Sequence, residues 1–318
     1  MADKAGIRRA LVTGGAGFIG HHLAQALIRR GVEVTVLDNL SMGKRDNVPP
    51  GARFVEGDVR DPELVTVAMQ GVDVVLHEAA IVSIRASVEG FVRDADVNLL
   101  GTLNVLQCMA DSGVKKAVLA SSMAVYADRA EPEALREDAT LAPISPYGIA
   151  KLAAEQYWLM MCKHFGITGT VLRYFNTYGP NQTPTPYVGV ITIFINKLLR
   201  GEPPVIYGDG EQRRDFVHVD DVVAANLAVL DGPAAKVDGR IFNVGTGNGT
   251  SVNDIARELS ALLAPECHAR RVPAQEGEMR NSIADLSAIR EALGWEPQRR
   301  RVDFADVVAW WRAHRVVS

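Results

Sequence analysis

Tyr147 and Lys151 stand four residues apart in the run Tyr147-Gly148-Ile149-Ala150-Lys151, directly after Ser145-Pro146. The spacing predicts a helix beginning after Pro146, with the phenol and the ammonium on one face. A phenol ordinarily ionises near pH ~10, too high for a base at neutral pH. A neighbouring ammonium, together with a cationic ring bound alongside, favours the phenolate and draws that value down. The chemistry on offer is removal of a proton from a substrate hydroxyl. The same spacing is common on amphipathic surface helices, so the pair needs company. Ser121-Ser122 supply it, closing an apolar, strand-like run. Ligands of open α/β sheets bind beyond the carboxyl ends of the strands. There the Ser122 hydroxyl can both donate to and accept from a substrate oxygen and relay a proton to Tyr147.

The cationic ring is implied by the other end of the chain. Thr13 to Gly20 reads T-G-G-A-G-F-I-G, after the apolar run Ala10-Leu11-Val12 and before a helix-period stretch marked by Phe18, Leu23 and Leu27. Such a glycine-rich turn between strand and helix grips a dinucleotide pyrophosphate. Gly14 takes the positive φ of a tight turn, Gly17 lets backbone approach the phosphates, and Gly20 lets helix and strand pack closely. The helix opening at Phe18 and Ile19 turns free N–H groups and a positive dipole toward the anion. A second run, Val32 to Leu37, ends in Asp38, about 20 residues beyond the glycines, where an acid binds the adenosine ribose hydroxyls. Its charge repels a 2′-phosphate, so the expected cofactor is NAD.

Further strand-like runs at Phe54-Val55, Val72 to His77, Ala117 to Ser121 and Thr170 to Tyr174 alternate with helix-period stretches. That order predicts an α/β fold, a doubly wound parallel sheet of Rossmann type. After Tyr174 come loops rich in Gly, Pro, Asn and Thr, then strand-like Phe216 to Val219 and Ile241 to Gly245, and helices over Val252 to Leu263 and Asp303 to Ala313. The expected division is a dinucleotide domain of 1–174 plus 216–245 and a smaller, discontinuous C-terminal substrate-binding domain of 175–215 plus 246–318.

Bulk properties exclude other classes. A net charge of −4 offers no attraction to nucleic acid or an anionic membrane surface. Met1 to Arg9 is polar, and no run of about 18 apolar residues occurs, so the expectation is a cytoplasmic protein. Cys108, Cys162 and Cys267 are far apart and never at metal-ligand spacing, and His21-His22 lack a third ligand, so no metal is expected and the thiols read as reduced and buried. Trp310-Trp311 read as core packing.

Taken together, nine motifs make the chain resemble the extended short-chain dehydrogenase/reductases, and among them the nucleotide-sugar 4-epimerases of the UDP-galactose type. They are the glycine turn, D-N-L at Asp38, G-D-V-R-D at Gly57, H-E-A-A at His77, S-S-M-A-V-Y at Ser121, S-P-Y-G-I-A-K at Ser145, R-Y-F-N-T-Y-G-P at Arg173, R-R-D-F-V-H-V-D-D at Arg213 and F-N-V-G at Phe242. The resemblance implies Ser122 and Tyr147 at the reacting oxygen and Lys151 on the nicotinamide ribose. It implies Asn39, Asp58 and Val59 around the adenosine, and Asn98 on a helix beneath the site, orienting water or backbone. For a UDP-sugar it implies Ser83 and Ser122 at the sugar, Asn176 and Arg214 at the diphosphate, Val190 within Tyr187 to Ile191 along the base, and Glu278 at the nucleotide ribose. Where the family often carries an arginine three residues before that acid, this chain has Gln275, with Arg271 or Arg280 as candidates to replace it. Ser282, three residues before Asp285, matches a position where a tyrosine restricts substrates to plain hexoses and a small residue admits an N-acetyl group. Apolar faces on both sides of Val88 to Ala110 and Ile149 to Phe165 imply a homodimer built on a four-helix bundle.

Several reactions share this opening. A 4,6-dehydratase needs an acid and a base for elimination, an Asp-Glu pair directly after the position of Ser122, and here Met123 and Ala124 stand there. A UDP-glucuronate epimerase or decarboxylase needs a cation for its carboxylate, and Pro180 to Ile195 contains none, leaving Arg85 as the alternative source. A NAD-sensing protein without catalysis typically lacks the tyrosine or the lysine. The expectation is 4-epimerisation of UDP-glucose and UDP-galactose, with their N-acetylated counterparts as further substrates.

Overall fold

Seven apolar runs form one fully parallel sheet, and its strand order places the predicted chemistry. The structure is a computed structural model and describes residues 6–82, 84–182, 189–274 and 279–314, with Arg85 described by its backbone alone. The first six strands are β1 (Arg9–Thr13), β2 (Glu33–Asp38), β3 (Arg53–Glu56), β4 (Val74–His77), β5 (Lys116–Ser122) and β6 (Thr168–Tyr174). They are followed by β7 (Asn176–Tyr178), β8 (Val205–Tyr207), β9 (Arg213–His218) and β10 (Ile241–Val244). The sheet runs β10-β6-β5-β4-β1-β2-β3. Chain direction across it reverses between β1 and β4, the switch point at which such sheets open a crevice beyond their carboxyl ends. Thr13, Asp38, His77, Ser122 and Tyr174 all end strands on that edge.

Both faces of the sheet are covered, which is why its strands read as continuous apolar runs rather than alternating ones. On one face lie α1 (Phe18–Arg29) and, later in the chain, Val219–Asp231, packing Leu23, Leu27, Val222 and Val229 with Val12 and Val36. On the other lie α2 (Pro62–Ala68), the segment from α3 (Ile84–Glu89) through α4 (Phe91–Ala95) to α5 (Gly101–Ser112), and α6 (Pro146–Phe165), where Trp158, Cys162 and Met109 meet Val75 and Leu119. Between α4 and α5 the helix makes one wide π-type turn, Asp96–Leu100, a feature that often marks functional sites. α6 starts as its sequence dictates. The Ser145 hydroxyl accepts from the Gly148 N–H at 3.1 Å, Pro146 occupies the first turn, and Gly166 ends the helix at φ 67°.

The later part of the chain builds a second core. α7 (Val190–Leu199), then α8 (Val219–Asp231) on the main sheet, α9 (Ala234–Val237), α10 (Val252–Leu263), α11 (Ser287–Leu293) and α12 (Ala305–Ala313) follow in order. Phe194, Ile195, Ile255, Leu259 and Trp311 pack together from α7, α10 and α12. Three short strands, β11 (Gly249–Ser251), β12 (Arg270–Val272) and β13 (Asn281–Ser282), complete the set. β9 pairs with β11, β13 and β7, while β12 pairs with β8. Main-sheet strands match their sequence reading to within two residues at each end, but β9 begins three residues before the expected Phe216, and Val219 opens α8 instead of closing the strand. The strands β7, β8, β11, β12 and β13 were not anticipated. At two or three residues each they carry no period, and pairing partners define them.

Candidate active site

Tyr147 and Lys151, both buried, project from the first turns of α6 toward the end of β5. The Lys151 ammonium donates to the Ala120 carbonyl at 3.0 Å and lies 5.9 Å from the centroid of the Tyr147 ring. Ser122 hydrogen-bonds the Tyr147 side chain and also accepts from the Ala124 N–H at 3.2 Å. The three predicted groups are therefore together at the carboxyl edge of the sheet.

Their electrostatics show how the protein's own groups act on the phenol. Burial pushes the Tyr147 phenol up to about 12; the Ser122 hydrogen bond opposes this, and the Asp94 and Glu78 carboxylates raise it further. Lys151 itself is pulled down to about 8, chiefly by burial, with Glu78, Asp94 and Glu155 holding it up. Burial is the largest effect on the phenol, and the two nearby carboxylates act in the same direction. A further cation beside the phenol lowers its pKa, and the cleft described next fits a molecule that carries one.

Behind the pair lies a closed polar network. Glu155, one turn beyond Lys151, receives the Arg173 guanidinium two-pronged, at 2.9 Å from Nε and 2.7 Å from Nη2, and accepts from the Ser121 hydroxyl at 2.5 Å. Arg173 also donates to the Tyr126 hydroxyl at 2.9 Å and the Glu137 carbonyl at 3.0 Å. With side chains 1% and 2% exposed, Arg173 and Glu155 tie β6, α6 and the residue before Ser122 into one body. The motif R-Y-F-N marked Arg173, but only the fold pairs it with Glu155.

The cleft runs from Gly14, Gly17, Phe18, Ile19 and Gly20 past Asp38, Asn39, Asp58 and Val59 to Glu78, Ile81, Thr177 and Gln182. Two of its glycines leave no room for a side chain. Gly14 adopts φ 69°, and a Cβ there would stand 2.7 Å from the Ala79 nitrogen, while one on Gly20 would collide with the Gly14 carbonyl. A cradle this close to backbone fits a pyrophosphate. Asp38 is wired to the turn, accepting from the Ala16 N–H at 3.0 Å and the Leu40 N–H at 2.8 Å, and burial moves its carboxyl upward against those bonds. Asp58 accepts from Asn39 at 2.8 Å and from the Arg60 side chain, which holds it well below the usual carboxylate range. Asn98, in the wide turn, clamps backbone: its amide meets the Ile81 N–H at 2.8 Å and carbonyl at 3.0 Å, fixing the cleft wall.

Four of the predicted substrate groups, Asn176, Val190, Arg214 and Ser282, lie on β7, α7, β9 and β13. The Asn176 side-chain oxygen is buried without a partner among the described residues. Arg214 donates to the Arg213 carbonyl at 3.0 Å and the Arg280 carbonyl at 3.2 Å, and pairs in register with Ser282, whose buried hydroxyl has no partner among the described residues. Val190 opens α7. Ser83, Tyr187, Gln275 and Glu278 lie outside the described residues. Neither candidate replacement for the missing arginine stands free. Arg280 pairs with the Asp209 carboxylate at 2.8 Å, and Arg271 donates to the Asp209 carbonyl at 2.7 Å. His22 bonds the Pro180 carbonyl at 3.1 Å. Glu78 and Asp94 are residues that sequence reasoning missed. Glu78 sits in plain view within H-E-A-A, yet nothing in one dimension brings it near Lys151.

Residues 10–245 match the model of the NAD dependent epimerase/dehydratase family. A UDP-glucose 4-epimerase of Mycolicibacterium smegmatis is 37% identical over 300 residues, 91% of this chain and 94% of that one. The crystal structure of a UDP-glucose 4-epimerase from Thermotoga maritima with UDP-glucose superposes with a TM-score of 0.90 at 39% identity, covering 96% of this chain and 99% of the other. A dTDP-glucose 4,6-dehydratase from Streptomyces venezuelae, solved with NAD, superposes with a TM-score of 0.88 at 32% identity over 96% and 98%. No helix among the described residues is long and apolar enough to cross a membrane.

Proposed function

Because the chain belongs to the NAD-dependent epimerase/dehydratase family, we propose that it interconverts UDP-glucose and UDP-galactose by NAD-dependent 4-epimerisation through a transient 4-keto sugar. One observation supports epimerisation over dehydration. The two residues after Ser122 are Met123 and Ala124, both buried, and neither can move the protons that elimination of water requires. Relatives that dehydrate share the fold, so the fold alone does not choose.

In this reading Tyr147 takes the proton of the sugar O4 hydroxyl, Ser122 hydrogen-bonds both oxygens, and Lys151 holds the nicotinamide ribose. NAD, when bound, supplies reversible oxidation at C4. The keto sugar turns about its diphosphate, gripped by Arg214 and Asn176, and Tyr147 returns the proton once the opposite face is presented. The stretches 1–174 and 216–245 serve the dinucleotide and 175–215 and 246–318 the nucleotide sugar, with Val190 beside the base and Ser83 and Glu278 completing the substrate set.

Purified protein given UDP-glucose should form UDP-galactose by proton NMR, and Tyr147→Phe should abolish it. A 4-keto-6-deoxy product would overturn the reading in favour of dehydration. The small Ser282 supports turnover of UDP-N-acetylglucosamine as well. Ser282→Tyr should suppress only the N-acetyl pair, and equal loss on both pairs would refute the role. The helices flanking the site leave Phe91, Val92 and Met160 61%, 69% and 60% exposed, which supports a homodimer closed across α4 and α6. A monomer mass in gel filtration with light scattering would exclude it.

A further inference from the structure

Glu78 follows β4, between the glycine turn and the Tyr147–Lys151 pair, and no step above uses it. It lines the dinucleotide cleft. Its Oε1 accepts from the Tyr174 hydroxyl at 2.8 Å, and the Tyr174 oxygen in turn accepts from the Asn226 amide at 2.8 Å. Asn226 is buried, and its amide nitrogen also donates to the Val222 carbonyl. The donors run in one direction, from Asn226 to Tyr174 to Glu78, and end on an acceptor oxygen. That order serves a carboxylate.

Among the described residues none forms an ion pair with Glu78, and Lys151 acts on it only through space. Burial raises the acid to about 7 against the pull of Tyr174 and Lys151, and the other groups acting across this space are Tyr147 and Asp94. An acid kept in a cleft wall with no cation in contact is costly, and a cation arriving there relieves that cost. The oxidised nicotinamide ring is such a cation, and the reduced ring is neutral.

We propose that the Glu78 carboxylate favours the oxidised over the reduced form of the bound nicotinamide, and so sets the reduction potential of the coenzyme. The inference rests on the family's use of NAD and not on the identity of the sugar. By linkage, the oxidised coenzyme must hold Glu78 more ionised than the reduced coenzyme does.

The test poises the holoenzyme against a redox mediator at about pH 8.5, above the titration of the acid, and reads the near-ultraviolet absorbance of reduced nicotinamide. Glu78→Gln should raise the ratio of reduced to oxidised coenzyme about tenfold, a unit charge in a site this dry, which is a midpoint about 30 mV higher. Glu78→Asp, which keeps the charge, should stay within about twofold of wild type. Equal midpoints for wild type and Glu78→Gln would overturn the proposal, since a merely structural role would change thermal stability and leave the potential alone. Should Glu78→Gln fail to fold, Tyr174→Phe removes the donor and leaves the acid. Its midpoint should exceed that of wild type most at about pH 7.5, between the wild-type titration and the raised one, and the gap should close as pH rises further. A midpoint equal to wild type at about pH 7.5 would overturn the proposal equally. A holoenzyme that shows the shift but epimerises no sugar would refute the proposed function and leave this inference standing.

Discussion

Replacing Glu155 by glutamine should be the most damaging isosteric change near the site, and the structure sets its size. Arg173 and Glu155 meet through two charge-assisted bonds of 2.9 and 2.7 Å with both side chains out of water. The amide keeps the shape and the Ser121 contact but leaves the guanidinium uncompensated. Breaking one partner of a buried pair costs about 3–5 kcal/mol, and two bonds to charged groups at about 1.5–3 kcal/mol each lead to a similar sum. At about 2.1 cal/mol/K per residue, unfolding this chain carries an entropy near ~0.7 kcal/mol/K. The melting temperature should therefore fall by about 5–7 °C, read by scanning calorimetry on holoenzyme. Turnover should fall with it, because Glu155 holds the residue beside Ser122 and sits one turn from Lys151. Replacing both partners, Glu155→Leu with Arg173→Met, should recover much of the loss, since an apolar pair strands no charge. A melting temperature within about 1 °C of wild type for Glu155→Gln would refute the argument that this pair carries the local rigidity.

Gly20→Ala should cost the protein its coenzyme, because the new Cβ meets the Gly14 carbonyl inside the phosphate cradle. A shift worth about 1–3 kcal/mol corresponds to roughly 5- to 150-fold weaker retention, measured as NAD released per protomer on denaturation, and full retention would count against the cradle. Glu78 makes a pH-dependent prediction on coenzyme-free protein. Its folded value of about 7 lies above the ordinary 4.5, so the stability it lends below pH 4.5 is lost as pH rises through 7. Glu78→Gln should thus be the more stable protein at about pH 8, by about 3 kcal/mol, with the gain shrinking toward about pH 5. Denaturant melts at the two pH values test the sign. The buried thiols of Cys108, Cys162 and Cys267, with Cys162 pushed up to about 12, should resist alkylation until the chain unfolds.

Much of this protein was settled by residue order alone. A glycine turn between an apolar run and a helical period, an acid at the end of the next strand, and Tyr-x-x-x-Lys behind a Ser-Pro helix start are local features, each enforced by backbone sterics or by helix and strand periodicity. They were enough to place Gly14, Asp38, Ser122, Tyr147 and Lys151 on one sheet edge. The tertiary structure decided the electrostatics. The phenol's hold on its proton is raised by burial first and then by Asp94 and Glu78, which come from segments more than 50 residues away, with α4 and α5 packed against α6. The small sheet likewise exists only through pairing, since strands as short as Asn281–Ser282 have no period to read. Local geometry is written in neighbours along the chain, whereas a proton's affinity is a sum over charges and water excluded in three dimensions, and only packing fixes that sum.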